Sequence, residues 1–155
     1  MNTDTTTTKP ETYAEMKKRH ADEIGRFPMG FAFSEKQLSD VCARLCCCAS
    51  DLAPLFAGAF VRRKDLPAWE EMETRHASEL DAGLARYDFA RAAFCSEFAN
   101  HETAYTCDAW DAMRAVGIVR RRGQTWLEAI DRPETRRALL DACRDCNVPA
   151  WAVGA

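Results

Sequence analysis

The sequence predicts an all-α fold, a compact bundle of six or seven helices with almost no strand. Along most of the chain, apolar residues recur at spacings of three and four, which is the period of a helix with one buried face. Hydrophobic residues make up 47% of the 155 residues and charged residues 29%, a balance typical of a globular protein. This length favours a single helical domain over residues 11–155. The polar, threonine-rich residues 1–10 have little to bury and are expected to form a disordered tail.

Start and stop signals divide the pattern into helices. The first helix follows Pro10 and is ended by Gly25 and Pro28, and its apolar stripe consists of Tyr13, Met16, His20, Ile24 and Phe27. Ser34 with Gln37 three residues later predicts a capping box at the start of a second helix. Asp65 is expected to cap a long helix with Pro67 in its first turn. Three further helices are predicted over residues 91–106, from Asp108 to Gly117, and after Asp131; between the second and third helices, Phe60 and Val61 form at most a short extended piece.

One helical pattern, aromatic-x-E-M-x-x-R-H-A-x-E-aliphatic, occurs twice. The copies are YAEMKKRHADEI at residues 13–24 and WEEMETRHASEL at residues 69–80. His20 and His76 lie on the apolar stripes, so both imidazoles are expected to face the interior or a cleft. Arg19 and Arg75 each have a glutamate four residues away on both sides, which predicts a ladder of ion pairs along a flanking face. The repeat therefore predicts one helical unit used twice, an internal pseudo-repeat of a helix pair.

The same histidines leave a metal-dependent or acid/base enzyme open as an alternative. Histidine and glutamate three or four residues apart on a helix can converge on one metal ion. The order here is His-x-x-Glu, whereas helical di-iron sites favour Glu-x-x-His, and no nucleophile elbow, phosphate loop or HExxH motif is present in the sequence. Absence of a catalytic motif makes a non-enzyme the preferred prediction, without a required cofactor. The candidate ligands of a divalent metal are His20, Glu23, His76, Glu79, Glu97 and His101.

The eight cysteines support a second metal hypothesis. The start of the chain has no secretion signal and no run approaches membrane-spanning length, so a cytoplasmic protein with reduced thiols is expected, away from the membrane. Cys143 and Cys146 have the spacing of a zinc knuckle, and Cys42 and Cys46 are candidates for the other two ligands. Helical cysteines also pack as small apolar residues, which is the preferred interpretation.

Two basic clusters interrupt an acidic chain whose net charge is -3 and whose pI is about 5.7. This charge argues against a general nucleic-acid-binding protein, and neither cluster is interleaved with aromatic residues in the sequence. A regulator that contacts nucleic acid through these clusters is a third hypothesis, and simple solvation explains them equally well. The candidate partner-binding residues are Arg62, Arg63, Lys64, Arg120, Arg121 and Arg122.

Ordered motifs over most of residues 11–146 carry a family resemblance. They are ETYAEMKKRH, FPMGFAFSEKQL, GAFVRRKD, RHASEL, SEFANHE, DAMRAVG and DRPETRRAL. Together they resemble a family of small uncharacterised helical proteins, a domain of unknown function, from gut bacteria and their phages or mobile elements. The resemblance implies that FAFS, GAF followed by basic residues, and NHE are marks of the family, and it transfers no activity. The cysteine-rich run and the CxxC are peculiar to this chain.

These observations favour a small non-enzymatic protein-binding module. In a phage or mobile element, such a module is expected to inhibit a host defence system, as anti-CRISPR proteins do. The expected partner is therefore a protein rather than nucleic acid or a membrane. The sequence does not indicate an oligomeric state.

Overall fold

The computed structural model describes residues 9–155, so the tail predicted over residues 1–10 lies, for residues 1–8, outside the described residues. The described chain is mostly helical, as predicted, but three short strands form a small sheet that the all-α prediction did not include. The helices are α1 (Tyr13–Arg26), α2 (Glu35–Leu45), α3 (Leu66–Leu84), α4 (Tyr87–Asn100), α5 (Thr103–Thr106), α6 (Trp110–Ala115) and α7 (Pro133–Asp145). The strands are β1 (Met29–Phe31), β2 (Leu52–Pro54) and β3 (Ala59–Arg62).

The sheet is antiparallel with β3 in the middle, in the order β1-β3-β2. Gly30 lies opposite Phe60 in one ladder, and Leu52 lies opposite Arg62 in the other. The extended piece predicted at Phe60 and Val61 is confirmed as part of β3. Strands of three or four residues are too short to show a convincing alternation of apolar and polar residues, and β1 and β2 adjoin or contain proline. For that reason the sequence did not reveal β1 and β2.

The described chain forms two compact units. Unit 1 comprises the chain up to Arg19 together with Ala77–Ala155, and unit 2 comprises His20–His76. The division falls within α1 and within α3. A single domain over residues 11–155 stays a prediction. Within residues 9–155, no helix is long and apolar enough to cross a membrane.

The core of unit 1 is built mainly where α4 packs against α7. Thr135, buried on α7, donates its hydroxyl to the carbonyl oxygen of Leu84 at 2.8 Å, which satisfies a polar group at the end of α3. A Cβ on Gly83 would lie 2.4 Å from a ring carbon of Phe89, so the close approach of that ring requires glycine. The large buried side chains of this core include Tyr13, Met16, Phe89, Phe94, Phe98, Met113, Trp126 and Leu139.

In unit 2, α2 begins at the predicted cap and packs on the sheet. The Ser34 hydroxyl accepts a hydrogen bond from the Gln37 amide at 3.3 Å, which confirms Ser34 as the cap of α2. The reciprocal bond of the predicted capping box is replaced, because Gln37 Oε1 accepts from the Phe33 amide at 2.7 Å rather than from the Ser34 amide. A Cβ on Gly30 would lie 2.6 Å from a methyl carbon of Val41. The side chain of Val41 therefore packs directly against the backbone of β1, which leaves no room for a side chain at Gly30. The buried cluster consists of Ala32, Val41, Leu45 and Leu52.

One predicted helix is wrong in its C-terminal part. The helix expected over residues 91–106 ends at Asn100, and Glu102 adopts a left-handed conformation (φ 50°) before the short α5. His101 therefore caps the end of α4 rather than continuing the helix. Tyr105, which lies in the last part of the predicted helix, is 94% exposed. The two residues between α4 and α5 interrupt the helix without changing the spacing of the apolar residues, so the periodicity of the sequence does not reveal the interruption.

Candidate functional site

The two histidines of the repeat are in contact within unit 2. The rings of His20 and His76 stack with their centroids 3.7 Å apart and their planes within 12°. Nε2 of His76 donates to Oε2 of Glu23 at 2.8 Å, and the same carboxylate accepts a hydrogen bond from Arg75. The His76 side chain is 11% exposed, as its position on the apolar stripe predicts.

The charged positions of the repeat pair reciprocally. In unit 2, Arg75 of the second copy binds Glu23 of the first copy. In unit 1, Nη2 of Arg19, from the first copy, binds Oε2 of Glu79, from the second copy, at 2.8 Å. Arg19 also binds Glu11. The ion pairs were predicted along each helix, but these contacts join the two copies, in antiparallel order.

Hydrogen bonds from His76 and Arg75 hold the pKa of Glu23 below its usual value. Such a carboxylate is stabilised in its charged form, which suits an ion pair better than a general base that must take up a proton near neutral pH. A cavity of about 360 Å³ lies beside this pair and contains neither imidazole in its lining. The described residues that line it are Glu23, Arg26, Phe27, Pro28, Ala68, Glu71, Met72 and Arg75.

A second polar cluster surrounds Glu97, whose side chain is only 4% exposed, in unit 1. Its Oε1 accepts hydrogen bonds from the Tyr13 hydroxyl and the Lys17 ammonium, both at 2.6 Å. Its Oε2 accepts one from the Asn100 amide at 3.2 Å and lies 3.6 Å from Nε2 of His101. The cluster thus joins α1 to the NHE segment at the end of α4.

Burial acts to raise the pKa of Glu97, but hydrogen bonds from Lys17, Tyr13 and Asn100 outweigh burial and hold the pKa below its usual value. Burial and the adjacent Glu97 raise the pKa of the Tyr13 phenol, which stays protonated as a donor. Because donors occupy both oxygens, Glu97 is arranged as a satisfied structural anion. Sequence reasoning missed Tyr13 and Lys17 as its partners; the available signal was their spacing of four residues, which puts both on one face of α1.

The cysteine candidates for zinc are divided between the two units. All eight cysteines are free thiols; Cys42 and Cys46 lie in unit 2, and Cys143 and Cys146 lie in unit 1. Across residues 9–155, no group of three or more His, Cys, Asp or Glu residues is arranged to hold a metal ion. The zinc and His/Glu metal sites consequently stay predictions without a ligand cluster to support them in this part of the chain.

The basic clusters occupy different kinds of position. Arg62 ends β3, and Arg63 and Lys64 lie in the 3-10 turn before α3. Arg120, in the loop after α6, lies over the ring of Trp126 at 4.7 Å and over that of Trp110 at 5.7 Å. The fold thus brings aromatic rings beside the second cluster, whose other members are Arg121 and Arg122, although the sequence does not interleave them.

Three exposed phenylalanines form a surface that the sequence did not predict. We call Phe31, Phe33 and Phe56 the aromatic patch; they are 52%, 76% and 49% exposed. The rings of Phe31 and Phe56 are 6.3 Å apart, and Phe56 lies 6.1 Å from the buried Trp69. The available signal was the concentration of phenylalanine in FAFS and LFAGAF, segments without a helical stripe.

A family model described as a family of unknown function, DUF7659, matches residues 12–145 of the chain. The match includes both copies of the repeat, the aromatic patch and Glu97 with its partners. No match is found among curated proteins or among solved structures.

Proposed function

We propose that this chain, which belongs to the DUF7659 family of unknown function, is a non-enzymatic protein-binding module that binds its partner through the aromatic patch. The observation that carries the proposal is the exposure of three phenylalanines in unit 2, of which Phe31 and Phe56 have ring centroids 6.3 Å apart and Phe33 lies beside Gly58. Single exposed apolar residues are common on protein surfaces, but several exposed aromatic residues on neighbouring segments are typical of a contact surface.

The energetics of aromatic side chains support a protein partner. Each such side chain buries about 150–250 Å² when it is covered, and aromatic residues are enriched at the centres of protein interfaces. A few anchors of this kind usually supply most of the binding free energy. Because the chain is acidic overall, this apolar surface suits a protein better than a nucleic acid.

Packing also holds the patch in a fixed arrangement before a partner binds. The Phe33 ring rests against Gly58, where a Cβ would come within 2.5 Å of it. Ala57 and Gly58 both have positive φ, of 32° and 79°, so the turn that carries Phe56 has a specific shape. Side chains that are already ordered lose less conformational entropy on binding.

The narrower hypothesis is that the partner belongs to a host defence system and that the chain comes from a phage or mobile element. The small size, the acidic charge and the lack of a catalytic motif in the sequence are what support it. It is tested by the identity of the partner.

The test compares two variants of the whole protein. Phe31→Ala/Phe33→Ala removes part of the aromatic patch, and Tyr105→Ala removes a comparably exposed aromatic residue from unit 1. Tagged forms are incubated with host lysate, and each recovered protein is purified and titrated directly. We expect the patch variant to weaken binding by about tenfold or more, and the control to bind like the unmodified protein. Equal binding by both variants would contradict the proposal.

The alternative of a metal-dependent enzyme has one observation in its favour, the contact of His20 with His76, although residues 9–155 contain no three-residue ligand cluster around it. Metal analysis of the purified protein tests it against His20→Ala, His76→Ala and His101→Ala. Stoichiometric metal that these variants lose would favour the enzyme over a purely structural role. Variants that lose only thermal stability would favour the binding module.

A further inference from the structure

A cavity of about 300 Å³ in unit 2 unites two features that are separate in the sequence, the cysteine run and the first basic cluster. Its lining consists of Cys46, Cys47, Asp51, Arg62, Arg63 and Lys64. We propose that this cavity binds a phosphate group, either as inorganic phosphate or as part of a mononucleotide. The site is separate from the aromatic patch and does not depend on the proposed function.

The backbone builds one wall of the cavity from three successive cations. Arg62 is the last residue of β3 and lies opposite Leu52. Leu52 directly follows the 3-10 turn Ala49–Asp51. Arg63 and Lys64 follow in the turn that leads into α3. Nε of Arg63 donates to the carbonyl oxygen of Ser50 at 3.1 Å, which ties the two turns together. The positive charges are thus held at one place by the sheet register.

The guanidinium groups are oriented while their outer donors remain available. Nε of Arg62 binds Oδ2 of Asp65 at 2.5 Å, and Nε of Arg63 is used by Ser50. The Nη groups of both arginines make no hydrogen bond to another residue in 9–155. Nor does the Lys64 ammonium form an ion pair or hydrogen bond with the described chain. Arginine and lysine donors of this kind are the usual ligands of phosphate oxygens.

The charge of the lining matches a phosphate group. The three cations and the carboxylate of Asp51 give the lining a net charge of +2, while Asp65, outside the lining, offsets part of the charge of Arg62. Oδ2 of Asp51 accepts a hydrogen bond from the Cys48 amide at 3.0 Å, so this carboxylate is held by a backbone donor. Burial raises the pKa of the Cys47 thiol, which stays uncharged near neutral pH and does not repel an anion. A phosphate carries between one and two negative charges at that pH.

The experiment is an amide NMR titration of the whole protein at constant ionic strength with sodium phosphate, AMP and succinate. We expect saturable shifts at residues 46–51 and 62–65 with phosphate and with AMP, and much weaker binding of succinate. Tighter binding of AMP than of phosphate would identify a mononucleotide site, and equal binding would identify inorganic phosphate. Succinate binding as tightly as phosphate, or no saturation at millimolar phosphate, would overturn the proposal.

Two variants that each remove one positive charge distinguish specific phosphate binding in the cavity from general attraction of anions to the protein. Lys64→Gln removes a cation from the cavity without removing an internal contact, and we expect about tenfold weaker phosphate binding. Arg122→Gln removes one exposed cation from the loop in unit 1 and should leave binding unchanged. Equal weakening by both variants would show nonspecific attraction and reject the site. The dispersion of the amide spectrum verifies that each variant is folded.

Discussion

At the scale of single residues, Glu97 illustrates how a buried charge is tolerated. An ionised carboxylate loses its hydration on burial, and that loss is offset only if donors replace the water. Here Tyr13, Lys17 and Asn100 supply those donors. Removing the charge therefore leaves donors unsatisfied, which costs more than the net value of one hydrogen bond.

Glu97→Gln should destabilise the protein by roughly 1.5–3 kcal/mol near neutral pH, since hydrogen bonds to charged groups contribute about that much. The pKa of Glu97 is lower in the folded protein than in the unfolded chain. The carboxylate therefore stabilises the fold fully above its unfolded-state pKa, and this stabilisation is lost as the pH falls through its folded-state pKa. The difference in free energy of unfolding between the variant and the unmodified protein should therefore narrow below about pH 4. Urea unfolding at a series of pH values measures the gap, with the exposed Glu102→Gln as control. A gap that stays constant with pH would contradict this account.

At the scale of elements, close backbone packing decides where small residues are required. Gly30 in β1 lies against Val41 of α2, whereas a Cβ added at Gly25 in α1 would have no neighbour within 4 Å. Glycine lacks a side chain in both places, yet only the first position uses that property for packing. The second retains the entropic cost of glycine inside a helix.

The two glycine-to-alanine substitutions should change stability in opposite directions. Gly30→Ala brings a methyl group within 2.6 Å of Val41 and should cost about 1–3 kcal/mol through overpacking. Gly25→Ala should stabilise by about 0.5–1 kcal/mol, because alanine loses less backbone entropy in a helix. Thermal and urea unfolding of both variants measures these changes. If both substitutions destabilised the protein by a similar amount, close packing would not be what distinguishes Gly30 from Gly25.

At the scale of the whole molecule, the core of unit 1 depends on a segment distant in sequence. Tyr13 and Met16 are 4% and 3% exposed and belong to the same buried cluster as Phe89 and Leu139. The Tyr13 ring meets that of Phe89 edge to face, with the centroids 5.6 Å apart. The C-terminal part of the chain, Ala77–Ala155, therefore lacks part of its own core without the start of α1.

A chain without residues 1–19 should lose the cooperative unfolding of unit 1, because Phe89 would lose its buried partners. The milder Met16→Ala should lower the free energy of unfolding by about 2–5 kcal/mol, as truncation of a buried methionine does. Intrinsic tryptophan fluorescence, to which Trp126, 5% exposed in this core, contributes, reports the transition. Lys9→Ala, at an exposed position, serves as the substitution control. An unchanged fluorescence transition in the truncated chain would refute the dependence of the unit 1 core on the start of α1.

Sequence by itself determined the features that depend on neighbouring residues. Ser34 and Gln37 marked the start of α2, the repeated pattern marked α1 and α3, and the stripes placed His20 and His76 away from full exposure. Periods and caps need only a few consecutive residues, so they can be recognised without knowing the fold. The family match confirms the coarser part of the resemblance, a domain of unknown function.

Only the tertiary structure decided which residues meet. Contacts such as Tyr13 with Glu97, or Arg19 with Glu79, join residues 84 and 60 positions apart. The sheet, the aromatic patch and the cavity between the cysteine run and Arg62–Lys64 arise in the same way, because each requires segments whose mutual position no local pattern specifies. Helix propensity fixes where a helix runs, whereas burial and pairing of distant side chains fix what its surface presents.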